Sequence, residues 1–340
     1  MRLGIYGRPG SGRRTVYQAL GQGLKAPDEK VRAKKSGQQT VVLVPDQRLA
    51  PLGDMFKPKK ITPTRLTFFL PDETAGQAQV LADLSSAEGL VLVLGNFENP
   101  PGSPQDPAKD LRALEEELIL RDLAVAEGRL ERLNKGRHKG LDFPPQEPGL
   151  LEEVLGLLNQ GRSLKERPDL AGAEVFKSFA FLSAKPRLVV VNNAEGDPER
   201  PELDLDQGEF LVLQGQIEKE LAQMAPQEAQ EFRAEYGLQE PGVDRMARAA
   251  YGILDLISFF TVGQDEVKAW SLPQGAAALQ AAGAIHTDLE KGFIRAEVIP
   301  AGDLIAAGSL AEARKKGLVR LEGRDYVLAD GDVVTIRFNV

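Results

Sequence analysis

The chain contains no cysteine and only two histidines, His138 and His286. The first absence excludes a disulfide framework and any thiolate metal site, and the second excludes a histidine-rich metal centre. Tryptophan occurs once, and aromatic residues make up 6% of the 340 positions. No apolar run approaches the ~20 residues that a membrane-spanning helix needs. The opening Met1-Arg2-Leu3-Gly4-Ile5-Tyr6-Gly7 is too short and too broken by glycine to read as a secretory leader. The expected location is the cytoplasm.

What is present is a chain too long for one core. With 42% of its residues hydrophobic, a length of 340 suits two or three domains. The net charge of −8 hides an asymmetry. Residues 1–60 carry 13 Lys and Arg against 4 Asp and Glu, so the excess of acid lies in the remainder. A basic block on an acidic protein marks either an anion or nucleic-acid contact or a solvated face; both readings stay open here.

Short apolar runs bounded by turn residues predict strands at Leu3–Tyr6, Thr40–Val44, Arg65–Leu70, Leu90–Leu94, Leu188–Val191 and Phe210–Leu213. Near-continuous Val and Leu without alternation suits a parallel sheet covered on both faces. The first strand runs through a Gly-rich turn into a helical stretch, Thr15–Gly23, which is how a doubly wound α/β domain begins. From Pro107 to Leu133 the sheet is interrupted. Ile119, Leu123, Ala126, Leu130 and Leu133 follow a 4-3-4-3 spacing, the seam of a coiled coil. A second helix is expected from about Leu150 to Leu158, making an inserted antiparallel helical hairpin. Past Leu256 strands are expected at Val267–Leu272, Phe293–Val298, Leu318–Leu321 and Val333–Phe338, around a helix at Gly275–Ala282. Strands wrapped round one helix suggest a small β-grasp domain.

The turn after the first strand is Gly7-Arg8-Pro9-Gly10-Ser11-Gly12-Arg13-Arg14-Thr15. A phosphate-binding loop needs glycines so that backbone N–H groups converge on phosphate, a lysine for the β- and γ-phosphates, and a hydroxyl for Mg²⁺. Gly7 and Gly12 have the right spacing, but Arg13 stands for the lysine and Arg14 for the hydroxyl residue. Arginine is bulkier and forked, and it cannot ligate a cation. By itself the motif is weak.

This loop with Tyr17-Gln18-Ala19-Leu20 resembles the opening of the YchF family of Obg-related P-loop NTPases. Val44–Leu49, Lys57–Thr64, Phe97-Glu98-Asn99, Lys185-Pro186 and Asn192-Asn193-Ala194-Glu195 resemble that family's later elements in order. Phe260–Gly263, Glu266–Trp270, Ile285–Glu297 and Asp330–Val340 resemble its C-terminal, TGS-type domain. The resemblance covers essentially the whole chain. It implies a P-loop α/β domain (residues 1–106 and 184–256), an inserted helical coiled-coil domain (107–183) and a TGS-like β-grasp domain (257–340). It also implies that ATP or GTP is the ligand class, held by Gly7, Pro9, Gly10, Ser11, Gly12, Arg13, Arg14 and Thr15, with Asn192, Asn193 and Glu195 at the base. The N-x-x-E pattern of Asn192 and Glu195 goes with adenine. A ribosome, RNA or protein partner is implied for the outer domains, and no membrane.

The departures point one way. Besides Arg13 and Arg14, no threonine stands at the first switch, where an ungapped register places Lys34. Leu70-Pro71-Asp72-Glu73 replaces the D-x-x-G of the second switch, Asp72–Gly76 being one residue too long, and Leu92 replaces a histidine. Phosphoryl transfer is mostly metal and charge positioning. The expectation is a pseudo-NTPase with no catalytic residues and no Mg²⁺ site, acting as a binding or regulatory protein. The alternative is a slow, metal-poor ATPase or GTPase. In the segment Ile285–Glu297, His286 reads either as a cap packed near Trp270 or, with Lys291 and Arg295, as part of a partner surface.

Overall fold

A computed structural model describes residues 1–22, 32–34, 37–137, 142–203 and 210–339. Part of the basic N-terminal block, His138 and Val340 lie outside these residues. The chain forms two compact units. Met1–Val42 and Thr67–Ala250 make one, and Leu43–Leu66 with Tyr251–Val340 make the other.

The strands run β1 (Arg2–Tyr6), β2 (Arg32–Lys34), β3 (Gly37–Leu43), β4 (Lys60–Thr62), β5 (Arg65–Leu70), β6 (Gly89–Asn96), β7 (Arg187–Asn193) and β8 (Leu211–Leu213). They continue with β9 (Leu256–Thr261), β10 (Glu266–Pro273), β11 (Phe293–Pro300), β12 (Arg320–Glu322) and β13 (Asp332–Phe338). The first unit's sheet has the order β2-β3-β5-β1-β6-β7-β8. Strand β1 pairs in parallel with both β5 and β6, and the parallel run continues through β7 and β8. Leu90, Val91, Leu92, Val93 and Leu94 are all fully buried, which is why this stretch shows no alternation. Leu92, where the resemblance expects histidine, is a core residue. Helix α1 (Arg13–Gln22) follows β1 and buries Val16, Tyr17, Ala19 and Leu20. This is the P-loop-NTPase-like α/β fold expected.

The helix Pro107–Arg137 carries the interrupting segment. Ile119, Ala126 and Leu133 are buried and Leu123 and Leu130 partly so, packed with Leu151, Val154 and Leu158 of the helix Glu147–Leu158. Buried Glu147 receives two hydrogen bonds from Arg129, at 2.6 and 2.9 Å.

The second unit's sheet has the order β12-β11-β13-β9-β10-β4. Two of its features differ from the sequence expectation. Strand β9 sits between β13 and β10 with Phe259 and Phe260 fully buried, and burial on both faces erased the alternation that marks a strand. Strand β4 pairs in parallel with β10, so residues 43–66 fold with the C-terminal unit rather than with residues 1–42. The reason is apolar cover. In the helix Leu49–Phe56, Leu49 and Leu52 pack with Phe260, Val267, Ile299, Leu304 and Val333. Pro51 falls in that helix's first turn, where proline is tolerated.

Candidate functional site

The loop from Gly7 to Gly12 joins β1 to α1. Gly10 and Gly12 have φ of 88° and 79°, the left-handed region that side chains rarely adopt. Gly12 is constrained twice, because an added Cβ would lie 2.1 Å from Nδ2 of Asn192. The loop is braced from three sides. Nδ2 of Asn99 and Nε2 of Gln105 donate to the carbonyl of Gly10 at 3.1 and 3.2 Å. Nδ2 of Asn192 donates to the carbonyl of Ser11 at 3.2 Å, while its Oδ1 accepts from the N–H of Gly215 at 2.8 Å. Ser11 is buried, and its hydroxyl has no hydrogen-bond partner in the protein. Pro9 and Arg14 are exposed and Thr15 is half-buried.

Arg13 turns its guanidinium to a carboxylate. Its Nε donates to Oε1 of Glu73 at 2.7 Å, and Nη2 of Arg14 lies 3.6 Å from Oε2 of the same side chain. The Arg13 hydrogen bond holds the Glu73 carboxyl below the usual carboxylate range, against the opposing effect of burial. Glu73 begins a single 3₁₀ turn, Glu73–Ala75, whose cap is Asp72. The Asp72 carboxylate accepts from the Thr74 hydroxyl at 2.7 Å and the Thr74 N–H at 3.0 Å. Those bonds lower its pKa, the hydroxyl most. Both bonds fall on Oδ1 of Asp72.

Two cavities flank this ion pair. One, about 410 Å³, is lined by Tyr6, Arg8, Arg13, Glu73, Gln77 and Glu117 among others. The Tyr6 hydroxyl donates to Glu117, and burial together with that carboxylate raises its pKa. The other, about 370 Å³, is lined by Arg14, Tyr17, Gln18, Gln38, Asp72 and Glu73 among others. Burial pushes the Tyr17 hydroxyl up to about 12.

At the far side of the loop, Asn193 is consumed internally. It donates to the carbonyls of Asp197 and Glu199 at 3.0 and 2.6 Å and accepts from Asn96 at 3.0 Å. Glu195 is exposed. The structure thus brings Asn192 onto the loop and leaves Asn193 and Glu195 off it. Sequence reading missed Glu73 and Gln105 as partners of the loop. Asn99 could be found, since it stands in the Phe97-Glu98-Asn99 element.

The family resemblance implies Mg²⁺, and the residues here do not fit it. An arginine stands at the hydroxyl position and cannot ligate a cation.

A family model for the YchF-GTPase C-terminal region, described as a protein of unknown function (DUF933), matches residues 256–339. The ribosome-binding ATPase YchF of Haemophilus influenzae is 36% identical over 362 aligned positions, spanning 100% of this chain and 99% of that protein. The ribosome-binding ATPase YchF of Bacillus subtilis is 32% identical, spanning 100% of each. Among solved structures, the YchF GTPase of Schizosaccharomyces pombe superposes with a TM-score of 0.80 at 24% identity, covering 99% of this chain and 97% of that one, a likeness of fold. On full-length identity at this level, the chain belongs to the YchF family of Obg-related P-loop proteins.

Proposed function

We propose that the chain is a YchF-type nucleotide-binding protein that has lost efficient hydrolysis and acts as a binding or regulatory protein on the ribosome. The observation that carries the loss is the fate of Arg13. The side chain at the phosphate-lysine position is bonded to Glu73 at 2.7 Å, and its neighbour Arg14 cannot ligate a metal. Nucleotide binding is supported by the glycine conformations of the loop, its buried Ser11, and relatives named as ATPases. ATP is the favoured triphosphate, through the N-x-x-E pattern at Asn192 and Glu195. Association with the ribosome follows from the names of those relatives. The inserted helices, as a coiled coil, and the C-terminal portion, as a TGS-type β-grasp domain, are the partner-facing modules. The alternative, a slow metal-poor ATPase, draws on the two arginines beside the loop.

The test is hydrolysis of ATP and GTP with and without Mg²⁺, run beside a nucleotide titration. Binding without metal-dependent turnover is the expected result. Turnover that requires Mg²⁺ and is abolished by Gly12→Val overturns the proposal.

A further inference from the structure

We infer that Glu73 is a built-in competitor at the loop: a fixed carboxylate that competes with a ligand's phosphate for Arg13 and Arg14 and so sets the loop's affinity for anions. The inference rests on the nucleotide-binding reading above, and it names what that ligand has to displace.

The geometry is that of an occupied anion site. Each carboxylate oxygen of Glu73 faces one guanidinium, Oε1 at 2.7 Å from Arg13 and Oε2 at 3.6 Å from Arg14. The Arg13 side chain is only 11% exposed and that of Glu73 30%, so water screens this contact poorly. Arg14 is 66% exposed and adds little by itself. Glu73 is not presented by a pliant loop. The Asp72 cap, the Thr74 bonds and the N–H of Ala75 bonding back to Asp72 fix the turn that carries it. Glu73 lines both flanking cavities, so it stands between the two spaces open to a ligand.

A phosphate oxygen offers the same acceptor chemistry as the carboxylate with more charge. To reach Arg13 it must take the place of Oε1. The released carboxylate then remains beside the incoming anion, and like charges at that range disfavour one another. Ligand affinity is therefore lowered twice, by the broken ion pair and by the carboxylate left behind. Removing the charge of Glu73 should reverse both effects.

The test is calorimetric titration of the full chain as wild type, Glu73→Gln and Glu73→Ala, with ADP and separately with inorganic pyrophosphate, no metal being added. Both variants are expected to bind pyrophosphate and ADP about tenfold more tightly than wild type, the range of one charge-assisted hydrogen bond. A residue that served structure alone would instead lower the melting temperature and leave affinity unchanged or weaker. Equal or weaker pyrophosphate binding by both variants overturns the inference, as does absence of binding by all three proteins. If pyrophosphate binding tightens but ADP binds no better than pyrophosphate in any of them, the competition stands and the nucleotide reading fails. If wild type binds ADP well and neither variant improves on it, the nucleotide reading stands and the competition fails.

Discussion

Arg48 and Asp330 are 282 positions apart in the chain, and their guanidinium and carboxylate meet at 2.6 Å. The same arginine holds Asp46 through Nη2 at 2.7 Å and lies over the Phe260 ring, 5.0 Å from its centroid. Asp330 in turn accepts from the N–H of Ser258 at 2.8 Å. One side chain thus joins the start of the 43–66 segment to the turn before β13. Arg48→Ala leaves two carboxylates without their cation and removes ring contact; Asp330 is 53% exposed, so solvent screens its share, and a loss of about 1–2 kcal/mol is expected. The sole tryptophan, Trp270, lies in the same unit. Its fluorescence during urea unfolding reports the loss, and a double-mutant cycle with Asp330→Asn should return a coupling of about 0.5–1 kcal/mol. Additive losses would mean that the two groups do not interact.

A chain cut after residue 256 should not yield a clean nucleotide-binding fragment. Leu52 is fully buried and Leu49 nearly so, and the residues that cover them, Phe260, Val267, Ile299, Leu304 and Val333, all lie beyond the cut. Strand β4 loses its partner β10 as well. Exposed apolar patches of this kind drive association. Residues 1–256 are expected to bind a hydrophobic dye and to elute as aggregates in size exclusion. A monodisperse fragment without dye binding would refute this. Tests of the C-terminal unit's partners therefore belong to point variants of the whole protein.

This allegiance of residues 43–66 was beyond what local pattern can reveal. Periodicity reads a segment's own amphipathicity and says nothing of which sheet will cover it, and the resemblance placed Lys60–Thr62 in the domain of residues 1–106. The parallel strands around β1 were legible because their uniform Val and Leu content is the signature of burial on both faces. At the loop, Gly10 and Gly12 were legible because a backbone with positive φ demands glycine at fixed spacing, and Gly7 because an added Cβ there would lie 2.4 Å from the Val93 carbonyl oxygen. Asn192 was found by resemblance, yet its bonds to Ser11 and Gly215 are scaffold bonds. Glu73 was invisible. A charged residue in a three-residue turn has no period, and only the fold brings it to Arg13, 60 positions away.

Asp122 should be the most costly single substitution in the first unit's helical insertion. Its side chain is fully buried and accepts from the N–H groups of Leu182 and Ser183 at 2.9 and 2.7 Å and from Arg121 at 2.9 Å. These bonds fasten the long helix to the point where the chain leaves the insertion for β7. Asp122→Ala leaves two buried N–H donors unpaired and takes the carboxylate from Arg121, whose guanidinium keeps only Ser85 and the Ala180 carbonyl, and a loss of about 3–5 kcal/mol is expected. Far-ultraviolet circular dichroism during thermal unfolding reads it. A change below about 1 kcal/mol would remove Asp122 from this role.

Gly12→Val should damage the loop through shape. The residue must take φ near 79°, which costs a β-branched side chain of order 1–3 kcal/mol, and its Cβ meets Nδ2 of Asn192 at 2.1 Å. Relief requires Asn192 to release Ser11 and Gly215. The expected outcome is a lower melting temperature together with loss of any nucleotide binding. Gly12→Ala should be milder in stability and similar in binding. Wild-type affinity in the valine variant would show that ligand does not use this loop.

Acid should weaken the second unit through Glu297. This carboxylate is buried in β11 at 7% exposure, receiving a hydrogen bond from Nη2 of Arg314 at 2.7 Å and one from Nε of Arg337 at 2.8 Å. The Arg314 bond chiefly, then the Arg337 bond, lowers its pKa against the opposing effect of burial. Its folded value therefore lies below its unfolded one, about 4.3. The unfolded chain takes up a proton first as pH falls. Glu297 thus contributes its full stabilisation above pH ~5 and loses it as pH drops through the folded value. Both arginines are more than half exposed, so solvent screening limits the contribution to about 1 kcal/mol. Urea midpoints read by Trp270 fluorescence from pH 7 to pH 3 should decline more steeply in wild type than in Glu297→Gln, which has no proton to gain. Parallel profiles for the two proteins would exclude Glu297 as a source of acid sensitivity, whatever the stability of the variant at neutral pH.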